Sequence, residues 1–210
     1  MLLLLPIATA FYISVDSKKG YIKNVYSSTL FGFIAGILYS FLDVIFTSDY
    51  YLAKYSIWSN LLHFGFIEML IPAAIVTLLF FVLIKNYTGM FKDLFYLLVP
   101  FFAVYMPVRI ISRNANMHYF LLFFKPSLFL LTFLYCKKIM FRIYKKLESN
   151  KMSFKTIGFP CILMLLVLLI PAFIESVWLI GFSTLVWLLF SFIYLAGYII
   201  LEIIEHKKIL

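Results

Sequence analysis

Long apolar runs alternate with short polar connections along the whole chain. A helix needs about 20 apolar residues, at ~1.5 Å each, to cross ~30 Å of hydrocarbon. Seven runs approach or reach that length, near 1–15, 25–47, 57–84, 94–111, 118–136, 156–174 and 177–201. The first is short and contains Pro6, and the third is long enough to tilt. Only Glu175 and Ser176 separate the last two, which predicts a tight helical hairpin with Glu175 at the end of its first helix. The expected fold is all-α, a single transmembrane domain over 1–210 forming a polytopic bundle of about seven segments, six at the fewest. Ala8-Thr9-Ala10 has the small-x-small form of a cleavage site, but no basic stretch precedes it. An uncleaved first helix is therefore expected.

Composition removes the alternatives. Hydrophobic residues make up 65% of the chain and charged residues 13%, against about 45–50% and about 25% in an ordinary soluble domain. A chain of 210 residues cannot hide that surplus in one core. A soluble enzyme is excluded, and so is a disordered chain, which lacks such apolar content.

Charge then orients the bundle. Lys and Arg number 18 against 9 Asp and Glu, a formal net charge of +9. In a soluble protein this excess would raise nucleic acid as a partner. Here there is no nucleic-acid motif, and the basic residues fall on alternate connections. The connections at 16–24, 85–93 and 137–155 and the C-terminal tail hold 14 of them, and those at 48–56, 112–117 and 175–176 hold 2. Cytoplasmic loops are enriched in Lys and Arg, which places the N-terminus outside and the C-terminus in the cytoplasm of a cell-membrane protein. In the basic 137–155 loop, Ile139, Met140, Ile143, Tyr144 and Leu147 recur at helical spacing. This pattern predicts an amphipathic cytoplasmic surface held by anionic inner-leaflet lipid. A membrane or cytoplasmic protein is the second candidate partner. Cys136 and Cys161 flank that stretch with no metal spacing and no disulfide framework.

The remaining charges are the candidate chemistry. A charge at a helix centre costs roughly 2.5–3.5 kcal/mol on insertion scales, so its presence asks for a function. Asp43, His63, Glu68, Arg109, Lys125 and Glu175 lie within or at the ends of the runs, with Arg113 and His118 beside them. The predicted topology puts all of them in the outer half of the membrane. Acids and bases share that level, so pairing of Asp43, Glu68 and Glu175 with Arg109, Arg113 and Lys125 is expected. Gly32, Gly36, Tyr39, Ser40, Asp43 and Thr47 fall on one helical stripe, and Gly32-x3-Gly36 permits close approach of a second backbone. Asn60, His63 and Glu68 lie within about 140° of one another at α-helical geometry. Pro72, Pro100, Pro107, Pro126 and Pro171 stand near these charges, a pattern expected where broken backbone lines a cavity.

No metal, phosphate-loop or nucleophile-elbow motif is present, and His63 with Glu68 does not form a zinc-protease pair. No cofactor is expected. Two fragments, His63-x-Gly65-x-x-Glu68 with Pro72-Ala73 and the run from Pro171 to Ser176, resemble the stage II sporulation protein M family of membrane proteins. The resemblance is confined to those fragments, and no site or activity is carried over from it.

Three function classes follow. The first is a solute-binding or transport subunit within a larger membrane complex, taking a small solute or an anionic group in an outward polar pocket. The second is an intramembrane enzyme with His63 or Glu68 as general base and Arg109 with Arg113 as an anion clamp. The third is a non-catalytic structural subunit whose charges are interhelical ion pairs. The first is preferred, and enzymatic activity is not expected.

Overall fold

The computed structural model describes residues 5–17, 25–46, 56–83, 90–113, 118–148 and 154–207. Helix α1 spans Leu5–Ser17 and α2 Val25–Phe46. Helix α3 runs over Ile57–Leu83, α4 over Met90–Arg113, and α5 is a helical stretch ending in Lys125–Glu148. Helices α6 and α7 are Phe154–Leu179 and Thr184–Lys207. Among the described residues there is no strand. Among the described residues six helices, α2 to α7, are long and apolar enough to cross a membrane, which makes this a multi-pass membrane protein. Among the described residues the first apolar run forms the 13-residue α1, about 20 Å long at the α-helical rise per residue.

Helix α4 is the axis of the bundle. Of its most apolar 18-residue window 78% is buried, against 22% for α2 and 17% for α7. The outer helices therefore show apolar side chains such as Leu30, Phe41, Leu185 and Phe192 to their surroundings. That arrangement suits a hydrocarbon solvent, where apolar exposure has no cost.

Helix α2 lies along α4 because its inward stripe is small. Val25, Ser28, Gly32, Gly36, Ser40 and Asp43 are its buried positions. A Cβ on Gly32 would collide with the Leu97 carbonyl oxygen, and one on Gly36 would sit 2.8 Å from that of Phe101. The seam therefore needs glycine for backbone approach, and it delivers Asp43 to the end of α4. Thr47, expected on the same stripe, lies outside the described residues.

Two predicted boundaries are corrected. Glu175 and Ser176 do not form a turn; α6 continues through them to Leu179. The hairpin closes five residues after Ser176, where Gly181 takes φ +88, a left-handed conformation that glycine adopts without steric cost. The helix gains by continuing, since Glu175 finds a cation and the Ser176 hydroxyl donates to the Ala172 carbonyl at 2.7 Å. The basic 137–155 segment is likewise not a separate loop at its start. Helix α5 runs unbroken to Glu148, with Ile139 and Met140 buried. Side chains from 141 to 161 lie outside the described residues, Cys161 among them.

The prolines do not break helices outright. Two stretches widen into π-helix instead, His63–Leu70 ahead of Pro72 and Phe120–Phe124 ahead of Pro126. Proline lacks an N–H and crowds the preceding turn, and a locally wider turn is one way to absorb both effects. In α6, Pro171 leaves the Val167 carbonyl without its helical donor. The Tyr194 hydroxyl of α7 approaches that oxygen at 3.5 Å while sharing a 2.9 Å hydrogen bond with Thr132 of α5.

A buried charge cluster as the candidate functional site

Five helices bring their polar side chains to one level of the bundle. Arg109 stands at its centre, 6% exposed. Its Nη1 donates to both Asp43 carboxylate oxygens at 2.8 Å and to the Tyr105 hydroxyl at 2.7 Å, one turn earlier on α4. On its other edge, Nε lies 3.0 Å from Glu68 Oε1. The Nε hydrogen is not aligned on that oxygen, so the contact is an ion pair rather than a directed hydrogen bond. Lys125, at the junction of π-helix and α-helix in α5, donates to Glu175 Oε1 at 2.6 Å and to Glu68 Oε2 at 3.4 Å. The chain of pairs thus reads Asp43, Arg109, Glu68, Lys125, Glu175.

His63 joins through Glu68, its Nε2 3.5 Å from Oε1. The two residues are five positions apart, which in an α-helix would splay them. The π-helical stretch that contains both has i→i+5 hydrogen bonding and brings positions five apart closer in angle. The histidine is positioned by that backbone, and single-residue periodicity at α-helical spacing misses it. Tyr105 was also not singled out from the sequence. The available signal was its position four residues before Arg109, where side chains on a helix meet.

Among the described residues, four buried polar atoms here have no hydrogen-bond partner: Arg109 Nε and Nη2, His63 Nδ1 and Asn60 Nδ2. Arg109 also lines an open pocket walled by Phe64, Phe102 and Phe129. Glu68, Arg109, Lys125 and Glu175 all reach its lining. Lys125 Nζ also stands 5.3 Å from the Phe64 ring centroid, a cation–π distance.

Of the predicted site residues, the structure assembles Asp43, His63, Glu68, Arg109, Lys125 and Glu175. Arg113 ends α4, and its side chain lies outside the described residues. Arg109 is committed to carboxylates and so does not form an open anion clamp. Ser112 donates to the Arg109 carbonyl at 3.3 Å, and His118 Nδ1 accepts the Phe120 N–H at 3.2 Å. Those contacts make both residues local helix-end partners. Among the described residues, no group of three His, Cys, Asp or Glu side chains is placed to hold a metal ion.

Comparison with family models, with curated proteins and with solved structures finds no match. The functional reading therefore rests on the geometry of this cluster alone.

Proposed function

We propose that the chain is a transport or solute-binding subunit whose site is the buried cluster and its pocket. The observation that carries this reading is the unfilled chemistry beside the pocket. Arg109 Nη2 is buried without a hydrogen-bond partner at a cavity lined by four charged side chains, Glu68, Arg109, Lys125 and Glu175. Buried polar groups in a network that serves packing alone are normally satisfied. The ion balance points to the kind of solute. Among the described side chains three carboxylates face two permanent cations, and a neutral or cationic solute suits that set better than an anion. The enzyme reading loses support, because Glu68 is ringed by Arg109, Lys125 and His63 and is not a free base.

The continuous chain of ion pairs favours a second reading, a structural subunit of a membrane complex. A binding assay separates the two. Purified protein in lipid nanodiscs is heated with a panel of small amines, amino acids and sugars. Transport predicts that a neutral or cationic member raises the melting temperature by ligand linkage. It also predicts that the pocket-filling variant Met106→Phe loses the shift while keeping its own melting temperature near that of the wild type. No shift with any member supports the structural reading.

In the proposed orientation the cluster end faces outward and the basic ends face the cytoplasm. Helix α5 then carries its basic extension along the anionic inner leaflet.

A further inference from the structure

The pocket at the charge cluster is polar at one end and apolar at the other. Glu68, Arg109, Lys125 and Glu175 stand at its polar end. Along α4 its lining continues from Arg109 through Met106 to Phe102, about 10 Å along the helix axis. Phe129, one turn beyond Lys125 on α5, meets Phe102 with ring centroids 5.3 Å apart. The same two rings line a second open groove, whose other walls are Leu5 of α1, Val99 and Ala103 of α4, and Leu130 and Phe133 of α5. Every side chain of that groove is apolar. Pocket and groove therefore meet at Phe102 and Phe129, and together they run from a cluster of charges to a hydrocarbon lining.

The polar end holds an unused donor. Arg109 is 6% exposed. Its Nη1 serves Asp43 and Tyr105, whereas its Nη2 is buried without a hydrogen-bond partner. A buried guanidinium N–H left unpaired carries a desolvation cost, which a ligand oxygen would remove. The groove end has no polar side chain, so it suits hydrocarbon alone.

We propose that pocket and groove form one site for a single-chain amphiphile with a neutral, hydroxyl-bearing head, of the monoacylglycerol kind. An oxygen of the head accepts from Arg109 Nη2. The alkyl chain passes the Phe102 and Phe129 rings and lies against Ala103 and Phe133. The head supplies the selectivity, because a chain that leaves lipid tails for an apolar groove gains little. This assignment rests on the solute-binding reading above and narrows it: the neutral head comes from that reading, and the chain comes from the groove.

The test uses the purified chain in phosphatidylcholine nanodiscs and a monodecanoylglycerol carrying a photoreactive diazirine near the end of its chain. Labelled residues are mapped by mass spectrometry. Label is expected in the groove, on Leu5, Val99, Ala103, Leu130 or Phe133. Excess unlabelled monodecanoylglycerol should remove most of it. Methyl decanoate, with the same chain and no hydroxyl, should not. Ala103→Leu, which fills the groove, should lose most of the label while keeping the wild-type melting temperature. If that variant melts early, the two competitors on the wild type decide the matter alone. No label in the groove overturns the proposal. Label spread equally over the outward-facing Phe41 and Phe192, or competition by methyl decanoate as strong as by monodecanoylglycerol, marks an ordinary lipid contact and also overturns it. The two assays fail separately. A small-solute shift without groove label keeps the solute-binding reading and removes the amphiphile. Head-dependent groove label without any small-solute shift upholds the amphiphile site.

Discussion

Two sets of paired charges occupy this bundle, and they differ in how much depends on them. In the central cluster Asp43, Glu68, Arg109, Lys125 and Glu175 are nearly buried, with side-chain exposures of 6–12%. Each interior cation serves two carboxylates. Farther along α5, Lys138 pairs with Glu202 of α7, and Glu202 is 44% exposed. Its neighbour Lys137 donates to the Tyr12 hydroxyl at 2.9 Å and stands over the Tyr12 and Phe95 rings, tying α1 to the bundle. The residue types match, yet their energetics diverge. Deleting one partner of a buried pair leaves an uncompensated charge, at about 3–5 kcal/mol. Glu202 is part exposed, so the charge left by deleting Lys138 is expected to cost less.

Arg109→Met is expected to break this contrast most severely. It removes the guanidinium that Asp43 and Glu68 share, with an expected loss of about 3–5 kcal/mol in stability. The measurement is the folded fraction after detergent extraction, followed by thermal unfolding. A melting temperature equal to that of the wild type would mean that the cluster is not a cooperative unit. Next comes Tyr105→Phe, which removes one hydrogen bond to the guanidinium and should cost about 1.5–3 kcal/mol. Gly32→Ala tests the route by which Asp43 reaches Arg109, because the added methyl meets the Leu97 carbonyl. Overpacking of that kind costs about 1–3 kcal/mol. It should also weaken the Asp43–Arg109 coupling in a double-mutant cycle. Lys138→Met is expected to be the smallest, because the carboxylate it leaves, Glu202, is part exposed. A loss as large as that of Arg109→Met would erase the distinction between the two sets.

The same contrast shows what could be read in advance. The list of interior charges was legible because Asp43, Glu68, Arg109, Lys125 and Glu175 interrupt otherwise apolar runs. The Gly32–Gly36 seam was legible because a four-residue spacing of small residues has one geometric use in a helix packing face. The pairing scheme was not. Nothing local tells Arg109 to choose Asp43 and Glu68, 66 and 41 positions away, over Glu175. The π-helical turn at His63–Leu70 was also hidden. An α-helical period leaves His63 and Glu68 on different sides, and only the backbone adjustment ahead of Pro72 brings them within 3.5 Å. The end of α6 was misplaced because polar residues were read as a turn. In a bundle, a glutamate facing a lysine on the next helix is a helix-interior residue.

The sequence by itself determined the class of the protein: an all-helical membrane chain, its runs set by the length of apolar stretches that lipid requires. It also determined which residues would have to be compensated inside the bundle, because charge in hydrocarbon is costly wherever it falls. Tertiary structure alone decided how that compensation is made. Ion pairing depends on which helices are neighbours and on how their backbones turn within an ångström or so. The pairing of Glu175 with Lys125, the unfilled Arg109 Nη2 and the pocket they line appear only when α2 to α6 stand side by side.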